Sequence, residues 1–260
     1  MSPAPDPAAM EERNPGAAIE IAGLRKSFGE KIVLNGVNLG VRPGESLVII
    51  GGSGTGKSVL LKCILGLLQP DSGTIMIDGI DMTEAPGGDR ADVRRRTGML
   101  FQGGALFDSL NVWRNVTFAL TQGRARKGRS MRSLAVELLA KVGLDESVAD
   151  LRPAEISGGM QKRVALARAI ASRPDLVFFD EPTTGLDPIR ANTINDLIRG
   201  LVTDLGCSAI TITHDMESAR RIADRVAMLH EGRIIWQGPV EMLDDSGNAR
   251  VDKFINGRTD

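Results

Sequence analysis

Leu47-Val-Ile-Ile50-Gly51-Gly-Ser-Gly-Thr-Gly56-Lys57-Ser58 is the stretch whose reading decides the fold. Its four leading apolar residues read as a buried strand, and a helical pattern begins at Ser58, with Leu60, Leu61, Ile64, Leu65 and Leu68 at helical spacing. Between them lies a glycine-rich loop ending in a lysine and a hydroxyl, the context a phosphate-binding loop requires. Glycines let the backbone turn its N–H groups inward around phosphates, and the helix N-terminus adds partial positive charge. Lys57 would reach the β- and γ-phosphates, and the Ser58 hydroxyl would ligate Mg²⁺. Gly51, Gly52, Ser53, Gly54, Thr55, Gly56, Lys57, Ser58 and Val59 are thus the candidate triphosphate cradle. A turn built for packing alone does not demand that lysine and hydroxyl.

A second site supports the first. Leu176-Val-Phe-Phe179-Asp180-Glu181 places two carboxylates at the end of an apolar run, and open α/β sheets bind ligands at the carboxyl ends of their strands. Asp180 can hold Mg²⁺ through water, and Glu181 can act as general base on the attacking water. A solvated acidic pair is the bland alternative.

The chain around these sites has 260 residues, 42% apolar and 25% charged, which excludes a disordered chain, a collagen-like repeat and a disulfide-stapled mini-protein. With 32 basic and 33 acidic residues the net charge is −1, so no global field draws it to nucleic acid or anionic membrane. Cys63 and Cys207 fit no metal spacing and read as reduced packing residues. Residues 1–17, rich in proline, read as a disordered tail and not a secretory signal. The greasiest run, Val59 to Leu68, is broken by Lys62 and Gly66 and is too short to span a bilayer. Strands are expected at Ala18 to Leu24, Val37 to Val41, Thr74 to Asp78, Gly98 to Phe101 and Ser208 to Thr213, with a hairpin around Glu231-Gly232. Val112 to Ser172 reads as helical, interrupted by a solvated basic link at Gly123 to Arg132.

Ile156-Ser157-Gly158-Gly159-Met160-Gln161 opens an amphipathic helix 100 residues after Lys57 (157 − 57) and 23 before Asp180 (180 − 157). It resembles the Leu-Ser-Gly-Gly-Gln signature of ATP-binding-cassette (ABC) ATPases, with Ile for Leu and Met for Gln. The resemblance covers roughly residues 18–240. It implies an α/β fold of the P-loop NTPase class: a RecA-like core with an antiparallel β subdomain and an inserted α-helical subdomain at about 103–172, followed by an extension at 241–260. ATP and Mg²⁺ are the implied cofactors. Gln102 then matches the Q-loop glutamine that senses Mg²⁺ and the γ-phosphate, His214 the H-loop switch, and Asp187 in Gly185-Leu-Asp187 the D-loop. Phe28 matches the aromatic that stacks on adenine, and a core Phe is the alternative. Lys57, Glu181 and His214 are the implied catalytic set; Ser58, Gln102 and Asp180 face the metal; Ser157, Gly158, Gly159 and Met160 would close the ATP of a second copy, giving a head-to-tail homodimer. His230 and both tryptophans read as structural.

Gly98-Met-Leu-Phe-Gln102 through Leu110-Asn-Val-Trp-Arg-Asn-Val116, together with the Ser-Gly-Gly-Met variant, resembles the ATPases of mammalian-cell-entry (MCE) systems, which include the bacterial Mla phospholipid transporters. That resemblance implies multi-pass permease subunits and an MCE-domain protein as partners, and a peripheral place on the cytoplasmic face of the inner membrane, reached only through them. Leu106, Phe107, Leu110, Val112 and Trp113 suit a permease groove or the core equally. Val251-Asp-Lys-Phe254 resembles the start of the extension by which Mla ATPases grip a neighbour. Two rivals share the catalytic residues: the motor of a polar-nutrient importer, and a soluble ABC ATPase using Arg124, Arg126, Lys127, Arg129 and Arg132 on nucleic acid. Such soluble proteins usually carry tandem cassettes or a coiled-coil insertion, neither of which is found here, so no nucleic-acid partner is expected. A small-molecule P-loop kinase has no use for Ser157-Gly-Gly159.

Overall fold

The computed structural model describes residues 16, 18–121 and 128–256. The expected tail, apart from residue 16, and Gly123, Arg124, Arg126 and Lys127 of the basic link lie outside the described residues.

Two sheets share the chain. β1 (Ile19–Phe28), β2 (Lys31–Val41), β4 (Ser72–Ile77) and β5 (Ile80–Asp81) form an antiparallel sheet ordered β2-β1-β4-β5. β3 (Ser46–Ile50), β6 (Thr97–Leu100), β7 (Leu176–Asp180), β8 (Ser208–Ile212), β9 (Arg225–His230) and β10 (Arg233–Pro239) form the other, ordered β10-β9-β3-β8-β7-β6. Five of its strands run parallel; β10 alone pairs antiparallel, through a turn in which Glu231 and Gly232 both take left-handed φ (46° and 73°), the primed geometry a two-residue hairpin favours.

β3, β7 and β8 are buried along nearly their whole length because both faces of the sheet are covered. Val48, Ile50, Val177 and Phe179 enter one buried cluster with the helical lobe, while Leu47, Ile49, Leu176 and Phe178 enter the other, beneath the antiparallel sheet. The helical lobe is α3 (Val112–Thr121), α4 (Gly128–Lys141) and α5 (Gly158–Ile170), packed on one another, with α5 also against β6. α1 (Lys57–Ile64), α6 (Pro188–Leu205) and α7 (Met216–Ile222) complete the core, and a short α2 (Gly87–Arg95) closes the antiparallel side. α8 (Ala249–Ile255) buries Val251 and packs Phe254 and Ile255 on this chain's own core. Among the described residues no helix is long and apolar enough to cross a membrane.

Three sequence expectations are corrected, and one helix was not anticipated. β1 and β2 run on past Leu24 and start before Val37, because ladder pairing continues while Arg25, Lys26 and Ser27 leave the core face. α1 stops at Ile64, not Leu68: Gly66 takes φ +63°, and the Lys62 carbonyl accepts from both Leu67 and Leu68 N–H. α2 carries no apolar stripe beyond Val93, so periodicity had nothing to find. Arg132 is no solvated link; it lies in α4, whose Ala135, Leu138 and Leu139 are buried, and pairs with Glu146 and Asp150, both at 2.7 Å. A cation so held is poorly placed for a phosphate backbone.

Candidate functional site

The parallel sheet gathers the candidate residues at one edge. Register pairs Ile49 with Ile212, Asp180 with Ile212 and Leu100 with Phe179, so the segments after β3, β7, β8 and β6 leave side by side. Glu181 N–H donates to the Ile212 carbonyl at 2.9 Å, and Thr213 N–H to that of Ile49 at 3.2 Å, which knits three of these exits together.

The loop after β3 requires its glycines. A Cβ on Gly51 would stand 2.3 Å from the Leu229 carbonyl oxygen, and one on Gly56, at φ +105°, 2.9 Å from that of Val33. α1 begins on Gly56 with no side-chain cap, so its first N–H groups are left for a ligand. Lys57 is buried and donates from Nζ to the carbonyls of Gly51 (2.7 Å) and Gly52 (2.9 Å); burial pulls its ammonium below the ordinary range, against the opposing pull of Glu181 and Asp180. Ser53, Gly54 and Ser58 are exposed, Thr55 Oγ1 bonds the Gly52 carbonyl at 2.9 Å, and Val59 packs on the core beneath.

Asp180 shows the complementary imbalance. Burial, and next the charge of Glu181, raise its carboxyl above the usual range, offset only in part by Lys57, Lys62 and Lys162. A pair of carboxylates short of positive charge, within electrostatic reach of Lys57 at an uncapped helix start, fits a divalent cation bound with a triphosphate. Glu181 itself sits at φ +48°, a backbone conformation costly for a side-chain-bearing residue and frequent at functional positions. Its carboxylate is held by His214 Nδ1, 3.0 Å from Oε1 and 2.9 Å from Oε2, and accepts from Thr184 Oγ1 at 3.1 Å. His214 is 62% exposed, so the carboxylate is oriented from the open side.

Gln102 lies exposed just after β6, and Phe28 is half exposed at the end of β1, with the Lys26 ammonium 5.7 Å from its ring. Ser157 caps α5, its Oγ accepting from Met160 N–H at 3.3 Å; Gly158 beside it is exposed and Gly159 half-buried. The Met160 side chain packs on the helical core, which explains how an apolar residue stands where the signature has Gln. Asp187 caps α6 and pairs with Arg190. Ser157, Gly159 and Met160 line a cavity of about 390 Å³ with Leu186 and Arg190, to which neither Lys57 nor Glu181 contributes, while Glu181 and His214 line another of about 310 Å³.

Several supporting residues were not singled out by sequence reasoning. Thr184 fixes the general-base candidate, and a buried group of Thr183, Ser218 and Asn195 links the segment after Glu181 to α7, with Ser218 Oγ 3.2 Å from Thr183 Oγ1 and 2.9 Å from Asn195 Nδ2. Lys162 donates to the Gln102 carbonyl. Of the apolar groove residues, Val112 is core, Leu106 and Trp113 are partly buried, and Phe107 is exposed with its ring 4.3 Å from that of Phe118. Cys63 and Cys207 are buried free thiols pushed up to about 11 by burial.

A glycine-rich loop closing on a buried lysine, at the carboxyl edge of a parallel sheet whose neighbouring strand ends in two carboxylates, defines a P-loop nucleoside-triphosphatase. The family model described as "ABC transporter" matches residues 34–184. Over 243 residues the chain is 40% identical to the "Probable ribonucleotide transport ATP-binding protein mkl" of Mycobacterium leprae, covering 94% of this chain and 70% of that protein. It is also 40% identical, over 242 residues and 93% and 91% of the two chains, to the "Intermembrane phospholipid transport system ATP-binding protein MlaF" of Haemophilus influenzae. The dimeric bacterial ABC transporter cassette MJ0796 superposes with a TM-score of 0.78 at 33% identity, over 85% of this chain and 98% of that one. The chain belongs to the ABC transporter family, as an ATP-binding and ATP-hydrolysing subunit that dimerises and works with membrane permease components. The expected α/β cassette fold is borne out.

Proposed function

We propose that this chain is the motor of an MCE-type transport complex that moves phospholipid or another hydrophobic substrate between the membranes of a bacterial envelope, held at the cytoplasmic face of the inner membrane by its permease. The observation that carries the ATPase part is the convergence of Lys57, Asp180, Glu181 and His214 at one sheet edge. In this reading Phe28 stacks on adenine, and Gly51 to Val59 bind the phosphates through backbone N–H groups. Lys57 exchanges its two carbonyl partners for phosphate oxygens. Ser58, Asp180 and Gln102 would hold Mg²⁺, which when bound neutralises charge on the phosphates. Glu181 takes the proton of the attacking water, and His214 holds that carboxylate in place and contacts the γ-phosphate. Ser157, Gly158, Gly159, Met160 and Asp187 serve the ATP of a second copy packed head to tail, a reading supported by the signature turn lining a cavity to which neither Lys57 nor Glu181 contributes. ATP then acts as interface glue, and hydrolysis releases it.

The transport part is supported by the relationship to MlaF over nearly the whole of both chains and by exposed Phe101 and Phe107 beside Gln102, which suit a permease helix. The relative named for ribonucleotide transport is equally identical, so a polar solute is the competing cargo. Purifying the tagged chain from native membranes in mild detergent and identifying what accompanies it by mass spectrometry tests both. A multi-pass permease, an MCE-domain protein and phospholipid are expected; a permease with a soluble solute-binding protein would replace the lipid reading.

A further inference from the structure

α5 carries one buried and one half-buried cation whose hydrogen bonds run to the backbone carbonyls of one short segment. Lys162, 8% exposed, donates from Nζ to the Gln102 carbonyl. Arg168 donates from Nη2 to the Gly104 carbonyl at 2.6 Å and from Nη1 to that of Ala105 at 2.7 Å. The segment also lies directly on the helix, since a Cβ placed on Gly104 would be 3.7 Å from the Ala165 methyl carbon. Withdrawing a lysine and much of an arginine from water is costly unless each is hydrogen-bonded, and here the acceptors are all backbone carbonyls of one segment. What they hold is the backbone that presents Gln102, and the Lys162 ammonium also lies within electrostatic reach of Asp180 and Glu181.

We propose that Lys162 and Arg168 are positioning residues that fasten the Gln102–Ala105 backbone to α5 and so fix where the Gln102 amide is presented to the phosphate site. These bonds thereby set how well the amide can meet the metal that accompanies ATP. The inference rests on the reading of Gln102 given above, and the test separates the two.

The experiment follows Mg²⁺-dependent binding of trinitrophenyl-ATP by fluorescence on the full chain, with binding in excess chelator as reference. Lys162→Met raises the half-saturating Mg²⁺ by about tenfold while chelator binding stays level, the size expected for one charge-assisted hydrogen bond. Lys162→Arg, which still reaches the carbonyl, restores the wild-type value. Gln102→Ala gives a comparable shift, and adding Lys162→Met to it shifts the midpoint no further, because both act through one amide. Arg168→Lys, with one donor for two carbonyls, moves the midpoint the same way and is scored if Lys162→Met does not fold. A Lys162→Met shift that persists in full on the Gln102→Ala background overturns the fastening role. So does no shift in Lys162→Met where Gln102→Ala shifts. No shift in Gln102→Ala itself refutes the reading of Gln102 instead, and the proposal with it.

Discussion

Glu181→Gln keeps size, shape and the Thr184 contact while removing the site's proton acceptor. The carboxylate is fixed three ways, by the left-handed backbone, by His214 at 2.9–3.0 Å and by Thr184 at 3.1 Å, so little freedom is gained on substitution. The loss is therefore that of the general base alone, about 10²- to 10⁴-fold in turnover, equivalent to roughly 3–5 kcal/mol in the barrier. ATP binding should be undiminished, because the loop, Lys57 and Phe28 are untouched. Removing one of two neighbouring negative charges also relieves Asp180, whose carboxyl is raised by burial and then by Glu181. The assay is phosphate release by the assembled complex at saturating ATP and Mg²⁺, with nucleotide affinity measured beside it. Turnover at the wild-type rate would show that another group accepts the proton; lost ATP binding would show that Glu181 belongs to the cradle.

His214→Ala leaves the base in place but unheld from its open side, and turnover falls by about 10- to 100-fold with the affinity for ATP kept, read in the same phosphate assay. Phe28→Ala weakens ATP binding by about 3- to 10-fold, the worth of one aromatic stack, while kcat is preserved; an unchanged Kd removes Phe28 from the site. Asp180→Asn makes the nucleotide-free chain more stable at neutral pH, as followed by thermal melting. The sign follows from a folded carboxyl raised above its unfolded value of 3.8: the wild type loses stability as pH rises through the folded value, and its deficit against the Asn variant vanishes below 3.8.

The candidate site was more legible than the scaffold around it. Phosphate binding confines Gly51 to Ser58 to contiguous residues between a strand and a helix, and the end of β7 announces itself by an unbroken apolar run meeting two acids. The strand exits that carry Gln102 and His214 depend on the order β10-β9-β3-β8-β7-β6, which no local pattern encodes; those two residues were singled out by the family resemblance instead. α2 was illegible because nine residues rich in glycine and charge bury only Val93. β1 ran past its apolar part because pairing with β2 and β4 holds Arg25 to Phe28 whatever their hydropathy. Lys162 and Thr184 were illegible for a different reason: each acts on a residue placed by tertiary structure, and neither lysine nor threonine marks such a contact in sequence.

The central claim is that one chain holds half of each ATP site. Light scattering on the Glu181→Gln chain with ATP tests it directly, because blocked hydrolysis should trap the closed pair. The account predicts twice the monomer mass with ATP, monomer without it, and monomer again when Ser157→Arg is added to fill the signature turn with a bulky side chain. A species that stays monomeric in saturating ATP, or a dimer indifferent to Ser157→Arg, would contradict it.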